Sequence, residues 1–518
     1  MNILLKGGTV FDGIGVKRRH ADVRIAGEFI VDIGDLSPRA NEVVLDATDL
    51  FVAPGFIDIH TRSDEYNTLL SNPEQTSLLR QGVTSILVGN SGFSLAPLLA
   101  PVGNESPRAQ SVPHASWVTM GECLDALSTK RFGVNVATLV GHTTVSGGIT
   151  HGKHTTLRND ELEELYAFLE QSIQEGAFGI SAGLLSPETR TTSPDVLRTM
   201  MMIAKKYNAL YATTIRNERD LFLDSFKELF VLARETGANV QFSHLKPEYP
   251  ENWKDYALVL RALSDEGVDT IAFDVYPYTT TFSSLVVALP AWITQKYGVL
   301  NRAFFSKTKQ RDECIRDLNS KEKMFRTMVV GGGNVPYEYY GKQIGELAQR
   351  QEKSVGEIVV MLLEMSDCGV MVYSPSLSED GLCSALQNQK SFITTNGGGY
   401  TIQKKNEPYA AHRRSFGAIP KFFAEYVRDK KLLSWEEAIY KVTHGPAQKI
   451  GIQNRGTIAH NHYADIVVFD PHTIQDRTNQ QDPYQYPDGI VAVIVNGAVA
   501  FEQGNDTIVS AGTVLRKT

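Results

Sequence analysis

The chain has 518 residues, of which 42% are hydrophobic and 21% are charged, and its formal net charge is −8 at pH 7. These values are ordinary for a globular protein, and the length predicts one large domain and one smaller domain. The acidic balance excludes the clustered basic surface of a nucleic-acid partner, and no apolar run approaches the ~18 residues that cross a membrane. The start lacks the pattern of a signal peptide and the four cysteines are scattered. We therefore expect a cytoplasmic protein with no membrane partner.

Short strands separated by turns are predicted at both ends of the chain. The first fifty residues contain ILLKGG, GTVFDG and EVVLDATDL, and the far end contains ADIVVFD and IVAVIVNGAVAFEQGN. In the last segment, Asn496-Gly497 predicts a tight hairpin turn. We expect residues 1–53 and 451–518 to build one small β-sandwich domain, with two independent terminal sheets as the alternative.

The middle of the chain, residues 54–450, alternates apolar strands with amphipathic helices, which predicts an α/β fold built as a (β/α)8 TIM barrel. The rhythm breaks at about residues 283–350, where we expect an insert over the barrel mouth. Polar residues follow the predicted strands, and in a barrel they would converge on that mouth. They are His60, Asn90, His142, Thr214, His244, Tyr276 and Asn396.

Motifs spread along the chain carry a family resemblance. In order they are PGFIDIHTRSD, QGVTSILVGNSGFSLAPL, YATTIRNE, QFSHLK, FDVYPYTT, HRRSFGAIPK, KVTHGPAQKIG, NRGTIAHNHYADIVVFDP and IVNGAVAFEQG. Together they resemble the N-acyl-D-amino-acid deacylase (D-aminoacylase) branch of the amidohydrolase superfamily, over nearly the whole chain and most weakly at 283–390. The resemblance implies a barrel with zinc at its mouth and a small-molecule amide as substrate.

The zinc positions of that family are largely changed in this chain. The resemblance implies His-x-His, a cysteine in Gly-Asn-Cys-Gly, a histidine before Arg-x-Glu, a histidine in Ser-His-x-Lys, and a late aspartate. Two of these six positions are kept, as His60 and His244, and four differ, as Arg62, Ser91, Thr214 and Asn396. Zinc needs three or four nitrogen, sulfur or carboxylate donors, and a guanidinium offers no lone pair. We therefore predict no metal site and no cofactor.

Other polar residues of the predicted mouth are retained, and the resemblance implies that they orient a substrate amide and its carboxylate. We assign His60, Arg62, Asp64 and His244 to catalysis. The predicted substrate-binding residues are Ser91, Thr214, Arg216, Lys246, Tyr276, Tyr278, Asn396 and Arg414. Structural roles are the alternatives: an Arg216–Glu218 ion pair, an Asp64 that braces a strand end, and tyrosines or histidines that only pack in the core.

The first functional hypothesis is a metal-independent enzyme that condenses an internal amine with an amide and releases water. Such a reaction gives a cyclic amidine such as an imidazoline, and it resembles the imidazoline-forming cyclases of siderophore tailoring. It needs substrate folding, an acid and a base, and Arg62 is the candidate for stabilising the oxyanion.

Three alternatives stay open. The chain could hydrolyse an amide without metal, with Ser91 as nucleophile and His244 as base; it could be a conventional zinc deacylase; or it could be a ligand-binding pseudoenzyme. Barrels of this type are often oligomers, so the sequence also leaves a homo-oligomer open.

Overall fold

The computed structural model describes residues 2–99, 117–152, 156–186, 189–248, 252–265, 269–289, 292–293, 302–305, 307–402, 411–480, 482–505 and 507–518. The strands are, in chain order, β1 Asn2–Val10, β2 Arg19–Ala26, β3 Phe29–Gly34, β4 Glu42–Asp46, β5 Phe51–Pro54, β6 Phe56–Asp58, β7 Val83–Val88, β8 Asn135–Thr138, β9 Val140–Gly141, β10 Gly179–Gly183, β11 Leu210–Thr214, β12 Asn239–Phe242, β13 Ile271–Val275, β14 Thr280–Ser284, β15 Val329–Gly332, β16 Met371–Pro375, β17 Ser391–Ile393, β18 Ile466–Phe469, β19 Ile490–Val495 and β20 Ala498–Glu502.

The α-helices within the described ranges alternate with the strands of the middle region. They are α1 Thr68–Ser71, α2 Thr76–Leu79, α3 Met120–Ser128, α4 His142–Ile149, α5 Asn159–Gln174, α6 Pro194–Lys206, α7 Phe222–Thr236, α8 Trp253–Ser264, α9 Arg302–Phe305, α10 Thr308–Ser320, α11 Glu322–Arg326, α12 Ile344–Arg350, α13 Val355–Met365, α14 Glu379–Gln387, α15 Arg414–Lys421, α16 Trp435–Tyr440 and α17 His444–Ile450. A π-helix, Phe422–Asp429, continues α15. Across the described residues, no helix combines the length and the apolar character needed to cross a membrane.

The strands of both chain ends lie in one eight-stranded sheet. Its order is β20-β19-β18-β5-β1-β2-β3, with β4 paired to β1. The pairing of β18 with β5 joins the two ends directly, so the alternative of two independent terminal sheets is wrong. At the predicted hairpin, Asn496 and Gly497 both have positive φ, as the tight turn between β19 and β20 requires.

The middle region contains a series of parallel strands that runs in chain order. One sheet has the order β6-β7-β8, and another has the order β9-β10-β11-β12-β13-β17, with a single residue between β8 and β9. Side chains connect the first and last strands: Asp58 in β6 accepts hydrogen bonds from the Thr394 hydroxyl at 2.5 Å and the Thr395 amide at 3.1 Å. These contacts suit a closed barrel, but β6 and β17 share no strand ladder, so full closure stays a prediction.

The predicted insert is larger than its expected bounds of 283–350. Strands β14, β16 and β15 form a separate antiparallel sheet, and a separate hydrophobic core extends from Leu285 to Val372. Because β16 pairs with both β14 and β15, the inserted unit runs from Thr280 to Pro375. The rhythm of the sequence hid this because α12 and α13 resemble the helices of the parallel-strand series.

Candidate active site

Polar residues gather at the carboxyl ends of the parallel strands, which we call the strand-end site. It is built by residues in or just after β6, β7, β11, β12, β13 and β17. Three of these residues, Ser91, His244 and Asn396, are buried and have left-handed backbones with φ of 54°, 38° and 43°. Such conformations cost free energy in residues other than glycine and are concentrated at functional sites. Three of the strand ends that build the site therefore carry this unusual backbone conformation.

His60 is completely buried and is held by a carboxylate from another strand. Its Nδ1 lies 3.2 Å from Oδ1 of Asp274, and the same oxygen accepts a hydrogen bond from the backbone amide of His244 at 2.8 Å. Burial opposes the charge of Asp274, yet His60 and these hydrogen bonds lower the pKa of its carboxyl. The arrangement makes Nδ1–H the donor to Asp274. The remaining nitrogen, Nε2, makes no hydrogen bond to any described residue.

His244 stands beside His60 and belongs to a second buried network. The two rings are stacked, with centroids 5.4 Å apart. Nδ1 of His244 lies 3.0 Å from Glu218 Oε1, and the Lys246 ammonium donates to Glu218 Oε2 at 2.7 Å. Burial, and after it the Lys246 charge, holds the pKa of His244 well below its usual range. His244 is therefore neutral, and Glu218 is the acceptor shared by a histidine and a lysine.

Arg62 brings a permanent cation close to this cluster. Its Nε lies 3.1 Å from Glu65 Oε2 and its Nη1 lies 3.3 Å from the Tyr66 hydroxyl. Burial raises the pKa of the Glu218 carboxyl and lowers that of His244, and the charge of Arg62 makes a smaller contribution that lowers both. The guanidinium therefore adds positive charge where the resemblance would require a histidine lone pair.

Asp64 braces the turn that carries Ser91. Its Oδ2 accepts a hydrogen bond from the backbone amide of Gly89 at 2.8 Å, and burial raises its pKa to about 7. These contacts suit the structural alternative, in which Asp64 braces a strand end, and its catalytic role stays a prediction. Ser91 Oγ, in turn, has no hydrogen-bond partner within the described ranges. No hydrogen bond joins Ser91 to His244 there, so the nucleophile–base pair of a serine hydrolase is not formed.

The donors of a zinc site do not come together at the strand-end site. Thr214 Oγ1 accepts a hydrogen bond from the backbone amide of Leu185 at 3.3 Å, and Asn396 offers only an amide, whose Oδ1 is buried without a described partner. Over the described part of the chain, no three histidine, cysteine or acidic side chains are arranged to hold a metal ion. Two histidines cannot supply the three or four ligands of zinc. The residues present do not fit that metal.

Arg414 is a buried cation with no acidic partner among the described residues. Its Nε donates to the Asn396 carbonyl at 2.7 Å, and its guanidinium lies over the Tyr276 ring at 4.9 Å. The neighbouring Arg413 differs, because it is paired with Asp476 at 3.0 Å. A buried charge without a partner is costly, so the terminal nitrogens of Arg414 are well suited to an anion supplied by a ligand.

Two predicted substrate-binding residues form ion pairs or hydrogen bonds with other residues of the chain. Arg216 does not pair with Glu218; its guanidinium pairs with Glu228 at 2.7 Å and donates to the Thr192 carbonyl at 2.5 Å. The chain has already left β11 at Arg216, so its side chain turns to α7. Tyr278 donates its hydroxyl to Asp476 at 3.0 Å. Both side chains therefore make structural contacts within the chain, and their contact with a ligand stays a prediction.

Sequence reasoning missed Asp274, and it noted Glu218 only as part of a retained Arg-x-Glu pair without assigning it to the site. Both are completely buried carboxylates that orient a histidine, and Asp58 is a third, which links β6 to β17. A signal was available, because FDVYPY and FIDIH each place an aspartate inside an otherwise apolar strand. Acidic residues are almost never fully buried unless they are paired.

Comparisons with known proteins agree with this architecture. A family model described as "Amidohydrolase family" matches residues 406–501. D-aminoacylase of Alcaligenes xylosoxydans xylosoxydans is 29% identical over 100% of this chain and 98% of its own length. N-acyl-D-glutamate deacylase of the same organism is 29% identical over 97% of this chain and 94% of its own.

A solved structure extends the similarity to three dimensions. It is the N-acyl-D-glutamate deacylase from Bordetella bronchiseptica, complexed with zinc and a phosphonate inhibitor that mimics the tetrahedral intermediate. The TM-score is 0.83 at 25% identity, over 99% of both chains. Over its whole length the chain is similar to the D-aminoacylase branch of the amidohydrolase superfamily.

Proposed function

We propose that this chain is an enzyme that hydrolyses the amide bond of a small N-acylated amino acid or a closely similar carboxylate. The observation that carries the proposal is the buried guanidinium of Arg414, which has no acidic partner among the described residues and lies beside Tyr276. A carboxylate next to the scissile amide would supply the missing negative charge. The full-length relatives, which are named as deacylases, favour hydrolysis over the cyclisation that we expected first.

The residues of this chain suggest how the reaction would proceed. A water oxygen attacks the amide carbon, and its proton passes to Nε2 of His60, whose ring is oriented by Asp274. The negative charge that develops on the carbonyl oxygen is stabilised by the positive surroundings of Arg62 and Lys246. When the carbon–nitrogen bond breaks, the proton on His60 moves to the departing amine. The products are one carboxylic acid and one amine.

A panel of N-acyl-amino acids tests this proposal. We expect release of a primary amine from D or L members that carry a free carboxylate, and much slower but measurable release from the matching carboxamides. The control is Arg413→Gln, since Arg413 is already neutralised by Asp476 and should leave the preference for the carboxylate intact. Equal rates on acids and carboxamides would contradict the role of Arg414. Tight binding without any turnover would favour the pseudoenzyme.

Cyclisation with loss of water is a second candidate, favoured by two specific atoms. His60 Nε2 and Asn396 Oδ1 are both buried acceptors without partners in the described residues. They could hold the N–H groups of an amine that attacks an amide within the same molecule. The panel should therefore include amides that carry a nearby amine, and a product lighter by about 18 mass units would identify this reaction by its loss of water.

A further inference from the structure

The two remaining histidines are arranged in the same way. Each presents Nδ1 to a buried carboxylate of another segment, His60 to Asp274 in β13 at 3.2 Å and His244 to Glu218 in the loop after β11 at 3.0 Å. A histidine that donates one ring N–H to a carboxylate has its other nitrogen available as an acceptor. In both residues that nitrogen is Nε2, and that of His60 is buried without a described partner. The pair is thus oriented for a ligand.

That ligand must find its further contacts among groups that bind metals poorly. The side chains at the four changed positions are a cation, two hydroxyls and an amide, and the Thr214 hydroxyl is engaged by a backbone amide. Each can make hydrogen bonds, whereas none matches the thiolate, imidazole or carboxylate that zinc prefers. The chemistry therefore suits an organic ligand with N–H or O–H groups.

The charges of the strand-end site point the same way. Lys246, Arg62 and Arg414 are positive, whereas Glu218 and Asp274 are already shared with Lys246 and the two histidines. Placing a dication among them would add repulsion without a free carboxylate to offset it.

We propose that His60 and His244 contact the substrate or the attacking water directly, without a divalent metal ion between them. The inference concerns the site of the proposed function, and it states only that no metal ion lies between the two histidines and the substrate. It can therefore fail while the proposed reaction holds, and the reaction can fail while the inference holds. His60 Nε2 takes a hydrogen bond from an N–H or O–H group where the zinc relatives would be expected to hold a metal. Asp274 and Glu218 are positioning residues that keep both rings in this orientation.

The first test is the metal content of untagged protein purified without chelator. Plasma mass spectrometry should find less than about a tenth of an equivalent of zinc, manganese, iron and nickel together, because the two donors cannot reach the three or four that zinc requires. One equivalent or more of tightly held metal would overturn the inference, whether or not any substrate is turned over.

A gain-of-metal series makes the same test in the opposite direction. The fourfold variant Arg62→His, Ser91→Cys, Thr214→His and Asn396→Asp should bind zinc and should show a zinc-dependent rise in thermal melting temperature. The matched double variant Arg62→His and Asn396→Asp keeps the two hydroxyls and should bind at least ~100-fold more weakly, since it lacks two ligands. Zinc binding by the wild type as tight as by the fourfold variant would overturn the inference. Should the fourfold variant fail to fold, the wild-type metal content decides alone.

Turnover measured before and after chelation distinguishes the metal-free inference from the proposed hydrolysis. Turnover that is unchanged after chelation supports both proposals, and turnover that is lost on chelation and restored by zinc overturns only the inference. A metal-free protein without turnover on any panel member overturns only the proposed function.

Discussion

The two ends of the parallel strands bury charge in different ways. At the carboxyl ends, Lys246 is paired with Glu218, Arg414 has no described acidic partner, and several polar atoms make no hydrogen bond to any described residue. At the amino ends, two buried lysines donate hydrogen bonds to neutral oxygens: Lys441 to the Ser391 carbonyl at 3.0 Å, and Lys449 to the Thr270 carbonyl at 2.8 Å. The amino-end charges are met by oxygens of the chain itself, whereas several buried polar atoms at the carboxyl ends have no hydrogen-bond partner among the described residues.

The buried cations at the two ends also differ in how they avoid the free-energy cost of a buried charge. Burial lowers the pKa of both amino-end lysines to about 7, so these groups avoid the cost of charge by losing a proton. At the carboxyl ends, Lys246 instead lies beside the opposite charge of Glu218, at 2.7 Å. Four predictions test the contrast, in order of decreasing effect.

Replacing Lys246 with methionine should lower the free energy of unfolding by about 3–5 kcal/mol, because it leaves Glu218 as a buried charge without its cation. Denaturant unfolding measures this. The double variant Lys246→Met with Glu218→Gln is the control and should recover a large part of the loss. A single variant within about 1 kcal/mol of the wild type would show that the pair carries no buried charge.

Replacing Arg414 with glutamine should lower kcat/KM on an N-acyl-amino acid about 30-fold or more, or at least ~2 kcal/mol, because the substrate carboxylate loses its buried partner. Steady-state kinetics on the acid and on its carboxamide separate this effect from general damage. The carboxamide should be affected little. An equal loss on both substrates would assign Arg414 to structure alone.

The amino-end lysines should make the free energy of unfolding increase with pH in the alkaline range. Each has a folded pKa of about 7 against an ordinary value of 10.5, so the unfolded chain binds more protons between these values and stability rises with pH there. Lys449→Met should reduce the slope of the unfolding free energy between pH 8 and 10 by up to about 1.4 kcal/mol per pH unit. An unchanged slope would mean that Lys449 stays charged.

Asp64 should make the free energy of unfolding fall with rising pH, opposite to the effect of the two lysines, and it should do so at lower pH. Burial raises its folded pKa from 3.8 to about 7, so its contribution to stability is fully present below pH 4 and is lost as pH rises to 7. Asp64→Asn keeps an acceptor for the Gly89 amide and should reduce the fall in stability between pH 4.5 and 6.5. A variant with the same fall would place the titration in another group.

Periodicity and strand-end polarity predicted much of the fold and part of the site. They located His60, His244 and Asn396 at the ends of their strands, because the alternation of strands and helices is a local property of the sequence. They could not predict which partner each charge takes. Tyr278 is held by Asp476, which lies 198 residues away, and Arg216 pairs with Glu228 although Glu218 is closer in sequence.

The measurement that tests the account most directly is turnover of an N-acyl-D-amino acid in ¹⁸O-labelled water by chelator-treated protein. Mass spectrometry of the products then reports the reaction and its independence from metal in one sample. We expect one ¹⁸O atom in the released acid, at a rate that added zinc does not raise. Turnover that appears only after zinc is added would contradict the metal-free site, and no labelled acid under either condition would contradict the hydrolase.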